Sequence, residues 1–592
     1  MSTTATPDVR ATLTTTLDPV VARVAARKDA WVREDVPARI AYLEACKQGL
    51  LDIADEWVRA GCHAKGIAYL EACKQGLLDI ADEWVRAGCH AKGIDPASPR
   101  AGEEWFSGPM ATVRHVRLMV NSLRANGQPK PLHLKQRANG QWVAHVFPPS
   151  LLKRIVYSDM TVEVWMQPGK PPSQGRIYRD KAEGVTRPGR VCLVLGAGNQ
   201  SSIGPLDVVY KLFAEDEVVV LKLNPVNEYL APLFRRAFRS LIDAGYLDIV
   251  QGGVDVGKYL CDHPDIHSIH LTGSETTHDA IVWGETAEEQ EQRKATGRPR
   301  IDKTVTSELG CVTPVLVVPG RWSRGDLKFQ ARNVASMVAH NASFNCNAAK
   351  ALVLARGWDQ REAFLEELHT VFARLPARRA YYPGAEERYQ RFREHYPNAR
   401  VLGPTGPHVV PWTVLPNVPP NAGEYALTRE AFCAVLAETS LDVDDAETFL
   451  REAVSFVNEH VWGTLSCVVI ADGRTQRRHR AQFEQALADL RYGDIGVNVW
   501  TGANYALGVA TWGAFPGNTL DNVRSGIGVV HNTKLFDYPE KSICRGPFRL
   551  WPTPVWFADH RNLAELGRRA TWFESNPTWA SLPGVAWAGL KG

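Results

Sequence analysis

From Val191 to Ser274 the apolar positions fall into short unbroken runs separated by stretches of helical spacing. VCLVLGAGN, EVVVLKLNP, DIVQGG and IHSIHLTGS each read as a strand rich in β-branched residues that ends at a turn. Between them, IGPLDVVYKLFAE and YLAPLFRRAFRSLIDAG repeat apolar residues at helical intervals. Such alternation predicts a parallel sheet with right-handed crossovers, the doubly wound class, whose ligands lie at the carboxyl ends of the strands.

Upstream, MTVEVWMQPGKPPSQGRIYRDK is expected to be a strand and hairpin leading into this domain. Residues 284–303, GETAEEQEQRKATGRPRIDK, are too polar for a core and read as an exposed loop or frayed helix. A second αβ region is expected from Thr304 to about Asp494. It carries TVTSELGCVTPVLVVPG and then NASFNCNAAKA, read as a turn running into a helix. The tail from Trp551 holds five tryptophans with several prolines and little periodicity, the composition of an arm lying on a neighbour.

Near the N-terminus, Ile40 to Gly66 recurs letter for letter as Ile67 to Gly93. Leu43, Cys46, Leu50, Ile53, Trp57 and Gly61 keep helical spacing, so each copy is expected to be one amphipathic helix ending at a glycine-bounded turn. Solenoids need about three or more copies to bury a face. Two identical copies point to a recent duplication or a sequence artefact instead. The duplicated Cys62/His63 and Cys89/His90 lack the spacing of a metal site, and so do Cys261, His263 and His267, so no metal is expected.

With 592 residues, 22% charged and a formal net charge of +3, the chain has neither the basic excess of a nucleic-acid binder nor a run of 18 apolar residues for a membrane span. The first residues lack a signal peptide's apolar region, and eleven cysteines without a close CxxC pair fit a reduced compartment, so the expected location is cytoplasmic. Small-molecule chemistry is the class left.

Two glycine turns could hold a phosphate, Gly196-Ala-Gly198-Asn199 and Thr272-Gly273-Ser274, each presenting backbone N–H groups at a helix start. The first is an incomplete dinucleotide fingerprint, since Ser201 stands at the third glycine, and a plain βα turn explains it equally well. Cys346, between two asparagines, reads either as a small buried hydrophobe or as a nucleophile.

Taken in order, GAGN, VVLKLNP, LTGS, SELG, NASFNCNAAK and TREAF resemble the motifs of the aldehyde dehydrogenase superfamily over roughly residues 150 to 545. The resemblance implies an NAD(P)-dependent enzyme that oxidises an aldehyde to a carboxylic acid through a cysteine thiohemiacetal and thioester. It makes Cys346 the nucleophile, Glu308 the general base that deacylates it, and Asn199 a donor to the developing oxyanion. For the cofactor it assigns Lys222 to the adenosine ribose, Glu430 to the nicotinamide ribose, and Gly273 and Ser274 to the dinucleotide turn. Ser343 and Phe344 replace the usual glycine and glutamine of the nucleophile motif, Cys311 and Val312 replace the last letters of ELGGK, and His278 replaces a glycine. Pro225 stands where many NAD-preferring members carry a carboxylate, so NAD and NADP are both open.

The implied fold is α/β, a Rossmann-type cofactor domain with an α/β catalytic domain and oligomerisation strands behind a helical N-terminal extension. The expected boundaries are a helical region over 1–150, a cofactor domain over 151–303, a catalytic domain over 304–494, and a return to the cofactor and oligomerisation region with the tryptophan-rich tail over 495–592. A small aldehyde is the expected substrate, and a homodimer or homotetramer the expected assembly, with no nucleic acid and no membrane. The rivals are a member that passes the thioester to coenzyme A and a degenerate relative that only binds. Glu308 argues against the first, because a thiol acceptor makes a deacylating base unnecessary.

Overall fold

The structure, a computed structural model, describes residues 9–46 and 69–592. The chain forms two compact units. One gathers residues up to Trp84 with His115–Pro129 and Gln174–Ser307, and the other Val85–Arg114, Lys130–Ser173 and Glu308–Gly592.

In the first unit the strands Ser268–Gly273, Arg190–Leu195, Glu217–Lys222 and Leu247–Val250 lie side by side in that order, all parallel. Their β-branched runs are buried because helices cover a doubly wound sheet on both faces. Leu195 is in register with both Lys222 and Leu271, which brings the turns after the three strands to one carboxyl edge. The early helices Val9–Ala25 and Lys28–Arg33 belong to this unit. Trp31 is fully buried, donates its indole N–H to the Leu212 carbonyl at 2.9 Å and lies under the Arg39 guanidinium, which pairs with Asp216. The polar stretch after residue 284 forms a surface helix, Ala287–Thr296, capped by the Thr286 side chain and closed by left-handed Gly297.

The second unit is built on an eleven-stranded sheet. Its centre is parallel, with Pro539–Arg545, Asp494–Val497, Ser466–Ile470, Thr313–Val317, Ala349–Ala355, Val435–Leu441 and Thr413–Leu415 in that order. The antiparallel meander His133–Gln136, Trp142–Phe147 and Thr161–Met166 extends one end. Thr161–Met166 therefore lies in this sheet, paired with a strand almost 380 residues away, and not in the expected hairpin ahead of the cofactor strands. Local pattern specifies a strand but not its partner.

Two further expectations are corrected. The residues after Cys346 form the central strand Ala349–Ala355, not a helix, because AKALVLA is enclosed between two parallel neighbours. The tail folds onto its own unit as helices Leu563–Ser575 and Leu582–Leu590, with Leu566, Phe573, Val585 and Ala588 packed around Leu152. Glu574 within it is buried and accepts from Arg114 and Lys153, each at 2.6 Å. Among the described residues no helix is long and apolar enough to cross a membrane.

Most of the first repeat copy lies outside the described residues. Its head is described, with Leu43 and Cys46 fully buried, and so is the tail of the second copy, in helix Tyr69–Lys92, where Trp84, Val85 and Cys89 are buried before left-handed Gly93. Among the described residues, the buried side chains of the repeat thus come from one head and one tail, which a single copy already contains. Deleting Ile67–Gly93 joins Gly66 to Ile94 and restores the same junction. Because loop length costs only about 0.6 kcal/mol per doubling, the deletion is expected to leave activity unchanged and to shift Tm by no more than a few degrees in a thermal scan. Loss of soluble protein on deletion would show that both copies bury essential surface.

Candidate active site

The loop that carries Cys346 begins where helix Arg324–Ala339 ends. That helix opens on a capping box between Ser323 and Asp326 and stops before Asn341, Ala342 and Ser343, all three left-handed with φ of 53°, 54° and 72°. For non-glycine residues this conformation costs roughly 1–2 kcal/mol each, so the surroundings must hold it. At Asn341, the residue type that tolerates it best, they do so from several sides. Its N–H donates to Glu103 Oε2 at 3.0 Å, its Oδ1 accepts from Lys92 Nζ at 3.1 Å and Tyr381 OH at 3.0 Å, and its Nδ2 donates to the Phe344 carbonyl at 3.1 Å. Glu103 is itself chelated by Arg378 at 2.8 and 2.9 Å. Burial would raise its carboxyl, but the guanidinium prevails and holds it ionised, at about 2.

The two letters that depart from the family motif have structural reasons. Phe344 is fully buried, with Tyr381, Tyr382 and Phe432 at centroid distances of 5.0, 5.7 and 5.8 Å. Ser343 occupies the left-handed position that glycine would take without strain.

Cys346 follows, its thiol donating to Glu308 Oε1 at 2.9 Å. Among the nine cysteines whose side chains are described, it is the one that is not fully buried. Its Sγ lies in an enclosed setting, so desolvation, then the Glu308 carboxylate, then Glu430 push the thiol well above its ordinary range. The group is a thiol at neutral pH, and Glu308 is the carboxylate in place to take its proton. Glu308 sits in strand Thr304–Leu309, almost wholly buried.

After that strand, Gly310 makes room for Glu430: a Cβ there would lie 1.7 Å from Glu430 Oε2. Cys311, in place of the family's glycine, is accommodated because Gly463 opposite, at φ +103°, has no side chain. Glu430 Oε1 is buried without a hydrogen-bond partner. Burial drives its carboxyl up, with Lys350 opposing, while burial drives Lys350 down. Lys350, absent from the sequence reading, donates to the Ser343 carbonyl and hydroxyl at 3.1 and 2.7 Å and to the Cys433 carbonyl at 2.8 Å. Its one signal in the sequence is a lysine inside the apolar run after the cysteine. Lys92 and Glu103 had no such signal.

The remaining sequence-predicted residues lie in the first unit. Asn199 is buried in the turn between Arg190–Leu195 and helix Ile203–Phe213. Gly198 packs so closely on Asn224 that a Cβ would sit 2.6 Å from its Oδ1. Lys222 ends its strand, where burial lowers its ammonium and Glu228 partly restores it. Gly273 is exposed, and Ser274 caps helix Glu275–Val282 by accepting from the Thr277 N–H at 3.2 Å. His278 is buried in that helix and meets Asp279 Oδ1 at 3.1 Å.

Residues 187–387 match the aldehyde dehydrogenase family. N-succinylglutamate 5-semialdehyde dehydrogenase of Klebsiella pneumoniae is 28% identical over 209 residues, 34% of this chain and 38% of that protein's length. Among solved structures, a salicylaldehyde dehydrogenase from Pseudomonas putida G7, complexed with salicylaldehyde, superposes with a TM-score of 0.56 at 15% identity, covering 91% of this chain and 92% of its own. An indole-3-acetaldehyde dehydrogenase solved with NAD+ gives 0.54 at 18% identity, with 89% and 88% covered. The chain thus has the fold of solved aldehyde dehydrogenases, and its residues 187–387 are similar in sequence to that family.

Proposed function

We propose that the chain is an NAD(P)+-dependent dehydrogenase that oxidises an aldehyde to a carboxylic acid on Cys346. The observation that carries this is the Cys346 Sγ–Glu308 Oε1 hydrogen bond of 2.9 Å, which joins the expected nucleophile to the expected base. Glu308 accepts the thiol proton as sulfur bonds to the aldehyde carbon, giving a thiohemiacetal whose oxygen is left negative. The Cys346 backbone N–H and, by the resemblance, the Asn199 amide donate to that oxygen, an effect worth about 2.7–4 kcal/mol per donor in related chemistry. When bound, the oxidised nicotinamide supplies the hydride acceptor. Glu308 then releases its first proton to solvent, takes another from water as the hydroxyl adds to the thioester, and passes that proton to the departing sulfur, which returns the thiol and releases acid.

The residues at the carboxyl edge fit a dinucleotide. Gly273 and Ser274 lie at a helix N-terminus, which favours an anion, and Lys222 places a cation at a strand end of the same edge. Pro225 stands where many NAD-preferring members carry a carboxylate that would repel a 2′-phosphate, so NADP is admitted with NAD. Glu430 keeps the nicotinamide-ribose role that the resemblance gives it, and the unpartnered Oε1 leaves an acceptor for a hydroxyl. The assembly follows the expectation of a homodimer or homotetramer. A panel of aliphatic, aromatic and amino aldehydes, with NAD+ or NADP+ and absorbance of the reduced cofactor, should reveal turnover with at least one. No reduction across the panel with either nucleotide would contradict the proposal.

A further inference from the structure

We propose that Lys350 is the positioning residue of the nucleophile loop, a buried clamp that lets serine stand at the left-handed position 343. The proposal rests on Cys346 being the reacting group. Ser343 has φ of 72°, where an L-residue is strained and glycine is not. Lys350 Nζ holds it by two bonds, to its carbonyl at 3.1 Å and its hydroxyl at 2.7 Å, and a third bond to the Cys433 carbonyl at 2.8 Å anchors the clamp on the segment after Glu430. Lys350 and Ser343 are both buried, so these bonds compete with little water. The ammonium also faces Glu430, Cys433 and Arg388. Cys346 lies three residues after Ser343, and an error there moves Sγ off Glu308.

A buried lysine with a merely structural role costs stability when replaced by an apolar residue of similar size, but it leaves the Cys346 loop and its chemistry unmoved. Lys350→Met therefore separates the two roles. The clamp predicts that amide exchange over residues 339–348 speeds up by about tenfold, the scale of one strained non-glycine residue, while exchange elsewhere is unchanged. It also predicts that kcat falls by about tenfold or more. Adding Ser343→Gly removes the strain at position 343, so the double variant should regain both the protection and kcat. Unchanged exchange in Lys350→Met, or a double variant no better than the single one, would overturn the clamp. Should Lys350→Met not accumulate as soluble protein, soluble expression regained in the double variant supports the clamp, and equal insolubility overturns it. Faster exchange with normal aldehyde turnover would keep the clamp and refute the chemistry assigned to Cys346.

Discussion

Cys346→Ala is expected to lower aldehyde turnover by about a millionfold, the scale set by removing a covalent nucleophile, while nucleotide binding survives. In the proposed chemistry the thiol forms the bond to substrate, whereas the expected cofactor residues Lys222, Gly273 and Ser274 lie elsewhere in the chain. Iodoacetamide should modify Cys346 before the other described cysteines, since each of those is fully buried. The pH dependence has a definite sign. Burial and the Glu308 carboxylate raise the thiol well above 9, so alkylation should keep accelerating through the alkaline range with no plateau near the ordinary thiol value. An active alanine variant, or equal labelling of all cysteines, would remove Cys346 from the mechanism.

Glu308→Gln should give a burst of reduced cofactor approaching one equivalent per site and then turnover slower by roughly 10²–10⁴-fold, the usual contribution of a general base. Glutamine keeps an oxygen near Sγ but cannot carry a proton to or from it. Since Glu308 also receives the thiol proton in this geometry, the burst itself should be slower than in the wild type. The deacylation step, which lacks any nucleophile as strong as the thiol, should suffer more. Stopped-flow absorbance separates the two phases. Turnover restored by coenzyme A, with the acyl group found on it, would favour the thiol-acceptor rival instead.

The first unit was legible because its strands are apolar on both faces and each ends at a glycine or proline, signals that are local. The strand after Cys346 was misread for the opposite reason. Ala348, Ala349 and Ala351 favour a helix locally, and only the flanking parallel strands, distant in sequence, override that preference. The tail helices were hidden by tryptophans and prolines, although Leu563, Leu566 and Phe573 keep a helical stripe. Cys346 and Glu308 were singled out through the order of motifs. What holds their loop was not, since Lys92 and Glu103 come from a segment more than two hundred residues before it, and no spacing encodes their meeting with Asn341 and Arg378.

The most direct test of the central claim is the mass of the Cys346 peptide from Glu308→Gln protein quenched in acid after mixing with an aldehyde substrate and oxidised nucleotide. The proposed chemistry predicts that this peptide gains the mass of the corresponding acyl group, that the gain requires the nucleotide, and that Cys346→Ala removes it. An acyl group on a different residue, or none while reduced cofactor accumulates, would contradict a thioester on Cys346.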